Sequence, residues 1–234
     1  MEPYNTFIER INHIQPQSFK RGAYSLLPDH AVRDKVSEDG KFKPFHGDTI
    51  IFLLPDAVNK ELAKHQCAIY EVAGENLSER LDPDYFHMTL HDLSIFRENS
   101  AVKPQHYMEI VQLTTEILRG EFTIGMKSYW IFNMNNSSIV LGLVPADENA
   151  YNQLMRLYWM YEQCVPLPYP LTPHITLAYF KGEEVPAHVM LSLTALAEDL
   201  FKQEFIVPLD SKKLGYYHFS NMNQYDQIPC GEEK

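Results

Sequence analysis

The stretch "PHITLAYF", residues 173–180, decides how this sequence is read. Taken with the period of two of an extended chain, Ile175 and Leu177 fall on one side and His174 and Thr176 on the other. Alone, that describes a strand ending in a histidine, with an ordinary β-former facing solvent. Residues 85–93, however, read "YFHMTLHDL", and there His87, Met88, Thr89 and Leu90 repeat the same alternation. The two H-x-T-L copies, with histidines at 87 and 174, lie 87 residues apart. That separation suits two halves of one domain.

The flanking segments repeat as well. "DTIIFLL" (48–54) reads as a buried strand, and Pro55-Asp56 opens an amphipathic helix running to about Tyr70. A polar loop leads into the strand of His87, and residues 103–120 form a second amphipathic helix stopped by Gly120. In the second half, "SSIVLGLV" (137–144) reads as a strand and Pro145-Ala146-Asp147 opens a helix running to about Cys164. The loop "VPLPYPLTP" then delivers the strand of His174, and residues 185–203 are the following helix. Each half thus runs strand, helix, H-x-T-L strand, helix, the order expected of two pseudo-symmetric lobes. The remaining strands are 122–132, paired in a hairpin with 137–144 across "NMNN", and the segment 204–220. The expected class is α+β: a duplicated, two-lobed fold with antiparallel-rich sheets around a central cleft and helices packed outside. The expected organisation is an N-terminal helix and irregular wrap over 1–47, then a two-lobed domain over 48–220, then a tail over 221–234. Within that domain, lobe one covers about 48–120 and lobe two about 121–220.

Composition narrows the function classes. At 234 residues, with 45% apolar and 12% aromatic content, the chain can bury a substantial core. "MEPYNTFIER" is polar, and no run approaches the roughly 18 apolar residues of a membrane span. A cytoplasmic protein without membrane contact is expected. Cys67, Cys164 and Cys230 are widely spaced and fit neither a disulfide framework nor a zinc motif. A net charge of −11 repels a polyanion, so long nucleic acid is not an expected partner. A small phosphorylated ligand, a nucleotide or a short oligonucleotide held in a local site, is compatible with it.

If a two-fold axis relates the lobes, the paired strands present two imidazoles and two hydroxyls to one point. An unperturbed pKa of about 6.5 lets one ring accept a proton while the other donates one. In-line displacement at phosphorus needs that division of labour. Thr89 and Thr176, on the same strand faces, are placed to hydrogen-bond the non-bridging oxygens. In these residues the chain resembles the two-histidine (2H) phosphoesterase superfamily, which includes cyclic nucleotide phosphodiesterases and RNA 2′,5′-ligase-like proteins. Its signature is two H-x-[ST]-hydrophobic motifs in a duplicated fold with a central cleft. His87–Leu90 and His174–Leu177 match it, "HITLAY" is close to the usual second motif, and the organisation agrees over roughly residues 45–220. "GDTIIFLLP" and "YFHMTLHDL" bring the chain nearest a less characterised bacterial branch. The resemblance implies catalysis by His87 and His174, phosphate binding by Thr89 and Thr176, and no metal or other cofactor. The implied activity is hydrolysis of a cyclic or 2′,5′-type phosphodiester, with RNA-ligase-like chemistry within the range of the superfamily.

Other readings of the same residues are a nucleotide-binding sensor that uses the cleft only to bind, and a metal-dependent hydrolase. His87 and His91 have the H-x-x-x-H spacing of two zinc ligands on a helix. Position 88 is Met where the zincin pattern needs Glu, and the segment alternates as a strand. On a strand, His91 shares the face of His87 and Thr89 and is either a candidate substrate contact or a solvent-exposed histidine at a strand end. Tyr85 and Tyr169 are further candidates, as aromatics able to stack on a base. Phe86 and Tyr179 point away from the cleft by the same alternation and are assigned to packing. Neither a P-loop nor a dinucleotide-binding glycine motif is present.

Overall fold

The computed structural model describes residues 2–14, 24–96, 104–200, 202 and 204–230. Parts of the expected wrap (15–23) and tail (231–234) lie outside the described residues, as do positions 103, 201 and 203 of the expected helices.

Two helices precede the repeat, α1 (Tyr4–Ile14) and the single turn α2 (Val32–Lys35). The first half then runs β1 (His46–Leu53), α3 (Asp56–Ala73), β2 (His87–Phe96) and α4 (Pro104–Leu118). After β3 (Thr123–Met134), the second half runs β4 (Ser138–Pro145), α5 (Glu148–Glu162), β5 (His174–Tyr179) and α6 (Ala187–Leu200). The chain closes with β6 (Ile206–Asp210), β7 (Leu214–Asn221) and β8 (Gln224–Ile228). Local chemistry sets several boundaries. Pro55 stands in extended conformation before α3. Asp147 caps α5 by accepting from the Ala150 amide at 2.8 Å. Asn135 and Asn136, at φ 50° and 53°, give the β3–β4 hairpin its tight turn.

The strands form two four-stranded antiparallel sheets, in the orders β2-β1-β7-β8 and β5-β4-β3-β6. The expected α+β class with antiparallel-rich sheets is observed. β2 corresponds to β5, β1 to β4 and β7 to β3, so the duplication in sequence is a duplication in space. The H-x-T-L strands occupy matching edges and approach one another, while α3 packs against β5 and α5 against β2. Each motif strand therefore rests on a helix from the opposite half of the sequence. The alternation read from the motifs is borne out: Met88, Leu90, Ile175 and Leu177 are fully buried, while His87, Thr89, His174 and Thr176 are half-buried.

The expected boundaries need two corrections. The segment 204–220 is not a strand of lobe two alone. β6 pairs with β3, whereas β7, after a 3-10 turn at Ser211–Lys213, pairs with β1 in the other sheet. The supposed tail from 221 contains β8, which pairs with β7. The reason is the free edge of β1: only one side is covered by β2, and a buried strand with Ile50, Ile51 and Phe52 at 0% exposure must satisfy its backbone on both sides.

Candidate active site

His87 and His174, each the first residue of its strand, line one cleft of about 1010 Å³ between the sheets, together with Thr89 and Thr176. The rings are held alike. His87 Nδ1 donates to the Tyr85 carbonyl at 2.7 Å, and His174 Nδ1 donates to the Thr172 carbonyl at 2.7 Å. In each case the acceptor lies two residues upstream, so the chain entering the strand fixes the tautomer. Nε2 is then the ring atom left for proton transfer. The chain just before His174 is itself anchored. Arg10 on α1 forms a double ion pair with Glu2 and donates to the Leu171 carbonyl at 2.9 Å and to Thr172 Oγ1 at 3.3 Å.

Burial governs the charge state. It pushes His87 down to about 4, and the neighbouring His174 ring adds to the shift, against the Tyr85 carbonyl and the Asp92 carboxylate. Burial also lowers His174, and Lys35 pushes the same way, against the Thr172 carbonyl and Asp92. Both rings are thus neutral near neutral pH. An incoming anion favours the return of a proton to one of them.

The strands are not regular beyond the threonines. In β2 the pairing with β1 jumps from Thr89 opposite Ile51 to His91 opposite Ile50, leaving Leu90 unpaired. In β5 the pairing with β4 jumps from Thr176 opposite Val140 to Ala178 opposite Ile139, leaving Leu177 unpaired. The leucine of each H-x-T-L copy is therefore the extra residue of a β-bulge, which resets the alternation. In the second copy the bulge is held from outside, because Gln66 on α3 donates to the Leu177 carbonyl at 3.1 Å.

The bulges correct two expectations. His91 is 1% exposed and its Nε2 donates to Glu162 at 3.1 Å, so it borders the cleft as a buried structural group. Asp92 takes the half-buried cleft position instead. Tyr179, assigned to packing by strict alternation, lines the cleft. It is the counterpart of Asp92, each standing three residues after its threonine. Of the other candidates, Tyr169 lines the cleft and donates to Asp92 at 2.9 Å. Tyr85 stands behind it: its carbonyl holds His87 and its ring stacks on Tyr225 at 5.9 Å. Among the described residues no cluster of three or more His, Cys, Asp or Glu is arranged to hold a metal ion. No helix among them is long and apolar enough to cross a membrane.

Other lining residues escaped the sequence reading, Asp92, Tyr225, Phe219 and Lys35 among them. Tyr225 on β8 meets the His87 ring edge-on at 4.9 Å and packs on Phe219 at 5.8 Å. Phe219 continues the wall to Phe45 at 6.0 Å. Lys35 on α2 holds its ammonium 5.1 Å from the centre of the Phe45 ring and 5.3 Å from that of Tyr179. Asp92 adjoins a motif, and only the bulge gives it its place. The aromatic β8 and the short basic turn α2 have no signal that links them to the histidines.

No family model matches the chain, and no curated protein matches it. Among solved structures it is similar to a conserved protein of unknown function from Agrobacterium tumefaciens, with a TM-score of 0.65 and 12% identity. That match covers 95% of this chain and 98% of the other, so the two share a fold over nearly their whole length. Weaker matches include E. coli LigT in complex with 3′-AMP, with a TM-score of 0.48, 14% identity, and coverage of 79% and 96%. A Thermus thermophilus protein matches with a TM-score of 0.47, 17% identity, and coverage of 80% and 100%.

Proposed function

We propose that this chain is a phosphoesterase of the two-histidine type, acting without a metal on a cyclic or 2′,5′-type phosphodiester of a nucleotide or short oligonucleotide. The observation that supports this reading most is the twofold repetition of one device in one cleft: an imidazole with Nδ1 tied to the carbonyl two residues before it, and a threonine two residues after it. The motifs' resemblance to the 2H signature agrees with it.

The proposed reaction uses both rings. The phosphodiester lies between the rings, and Thr89 and Thr176 hydrogen-bond its non-bridging oxygens. A neutral imidazole takes a proton on Nε2 from the attacking water as the water oxygen bonds to phosphorus. The other imidazole, protonated beside the bound anion, gives its Nε2 proton to the leaving oxygen as that P–O bond breaks. Fixed Nδ1 donors keep both rings aimed, so little reorganisation is needed as charge moves.

The test is turnover of four substrates in EDTA: a 2′,3′-cyclic nucleotide, a 2′,5′-linked dinucleotide, a cyclic dinucleotide and a small cyclic phosphate. Product is followed by phosphorus NMR. Hydrolysis of at least one, reduced by about 10²–10⁴ in His87→Ala and in His174→Ala, is expected. Failure on all four, or loss of activity in EDTA, overturns the reading.

A further inference from the structure

The two bulges place unlike residues at equivalent positions of the cleft. On one side is Asp92, tied to Tyr169. On the other is Tyr179, with the Lys35 ammonium above its ring. Lys35 lines the cleft, and among the described residues no carboxylate pairs with its ammonium, although the chain has 31 acidic side chains against 20 basic ones. Contact with the two rings of Phe45 and Tyr179 holds the cation in place, and among the described residues no hydrogen-bond acceptor meets its donors. Its backbone is anchored too: the Lys35 carbonyl accepts from the Lys43 amide at 2.8 Å, and the Phe45 amide donates to Ser220 at 2.8 Å. An ammonium fixed at the cleft and without a carboxylate partner among the described residues is arranged, in an acidic protein, to receive an anion.

We infer that Lys35 is a second anion site, which takes a further phosphate group on a substrate whose phosphodiester lies between His87 and His174. The inference rests on the function proposed above and narrows the substrate to a nucleotide with two phosphates at different positions. The volume accommodates this, since about 1010 Å³ is at the upper end of what small-ligand sites offer. The acidic opposite end gives the ligand one orientation. A second phosphate placed by Asp92 is repelled, and one placed by Lys35 is bound.

The experiment compares adenosine 3′-phosphate with adenosine 3′,5′-bisphosphate by titration calorimetry, and turnover of 2′,3′-cyclic AMP with that of its 5′-phosphorylated form. The wild-type chain is expected to prefer the doubly phosphorylated member of each pair by about 10–100-fold, the effect of one charge-assisted contact. In Lys35→Met the preference falls toward one, and Lys35→Arg restores most of it. Lys64→Met, which removes the same charge from the exposed surface of α3, leaves the preference unchanged. A wild type without preference overturns the inference. So does a Lys35→Met variant that weakens both ligands equally, because Lys35 then serves the phosphate between the histidines. If the calorimetric preference follows Lys35 while neither cyclic phosphate is turned over, the anion site stands and 2′,3′-cyclic nucleotides are excluded as the substrate; failure on the other three substrate classes as well overturns the hydrolase reading without touching the anion site.

Discussion

Tyr225 presents its ring to the edge of the His87 imidazole, 4.9 Å between centres, although 138 residues separate the two in sequence. The contact covers one catalytic candidate with a residue from the last strand. Removing it should both loosen and expose the ring. Tyr225→Ala is expected to lower kcat/KM by up to about tenfold, the worth of one aromatic contact. The His87 pKa, followed by NMR, should rise from about 4 toward 6.5 as burial is relieved. Tyr225→Phe keeps the contact and should change neither by much.

The two histidines should be far more costly to lose than the threonines. His87→Ala and His174→Ala are each expected to reduce the rate by about 10²–10⁴, the usual contribution of one general acid or base. Thr89→Ala and Thr176→Ala remove a neutral hydrogen bond and should raise KM or lower kcat by about tenfold, with the pH profile unmoved. Steady-state kinetics over pH 4–9 separates these outcomes.

Binding of a phosphate ligand should be coupled to proton uptake. Both rings are depressed by burial, and a bound anion favours the return of a proton to one of them. Calorimetry with 3′-AMP at pH 7, in buffers of different ionisation enthalpy, should show net uptake, with affinity rising as pH falls toward 5. Zero uptake would mean that neither ring is protonated by the ligand. The same depression affects stability. Between 6.5 and about 4 the unfolded chain binds protons that folded His87 refuses, so stability falls as pH drops through that window. A His87→Asn/His174→Asn double variant should show a shallower decline in urea midpoint over that range.

Away from the chemistry, Gly47 is the point where β1, β2 and β7 press together. A Cβ there would stand 2.3 Å from the Phe219 ring and 2.5 Å from the Ser94 carbonyl. Backbone cannot yield as a flexible side chain can. Gly47→Ala is expected to cost about 1–3 kcal/mol in urea unfolding.

How much of this was legible in the sequence depends on range. His87, Thr89, His174 and Thr176 were readable because alternation is a local property and the two copies corroborate each other. The bulges at Leu90 and Leu177 were not, because an extra residue is defined only against the partner strand. His91 and Tyr179 were misplaced as a result, and Asp92 was missed. Lys35 and Tyr225 reach the cleft through backbone pairing and packing far along the chain, and nothing adjacent to them in sequence marks the destination. The same holds for the division of 204–220 between two sheets. Its strand character is local, but which edge it completes depends on an edge left open by β1.

That crossing governs when the molecule can be completed during synthesis. In the sheet of His87, β1 is flanked by β2 and β7, and β7 is not made until residue 221. Until then the nascent chain holds Ile50, Ile51 and Phe52 beside an unpaired edge, while the sheet of His174 can be finished at residue 210. The half translated first is therefore the last to close. A ribosome stalled between β6 and β7 leaves a chain with one finished sheet and one adhesive edge, open to chaperones or to a neighbouring copy.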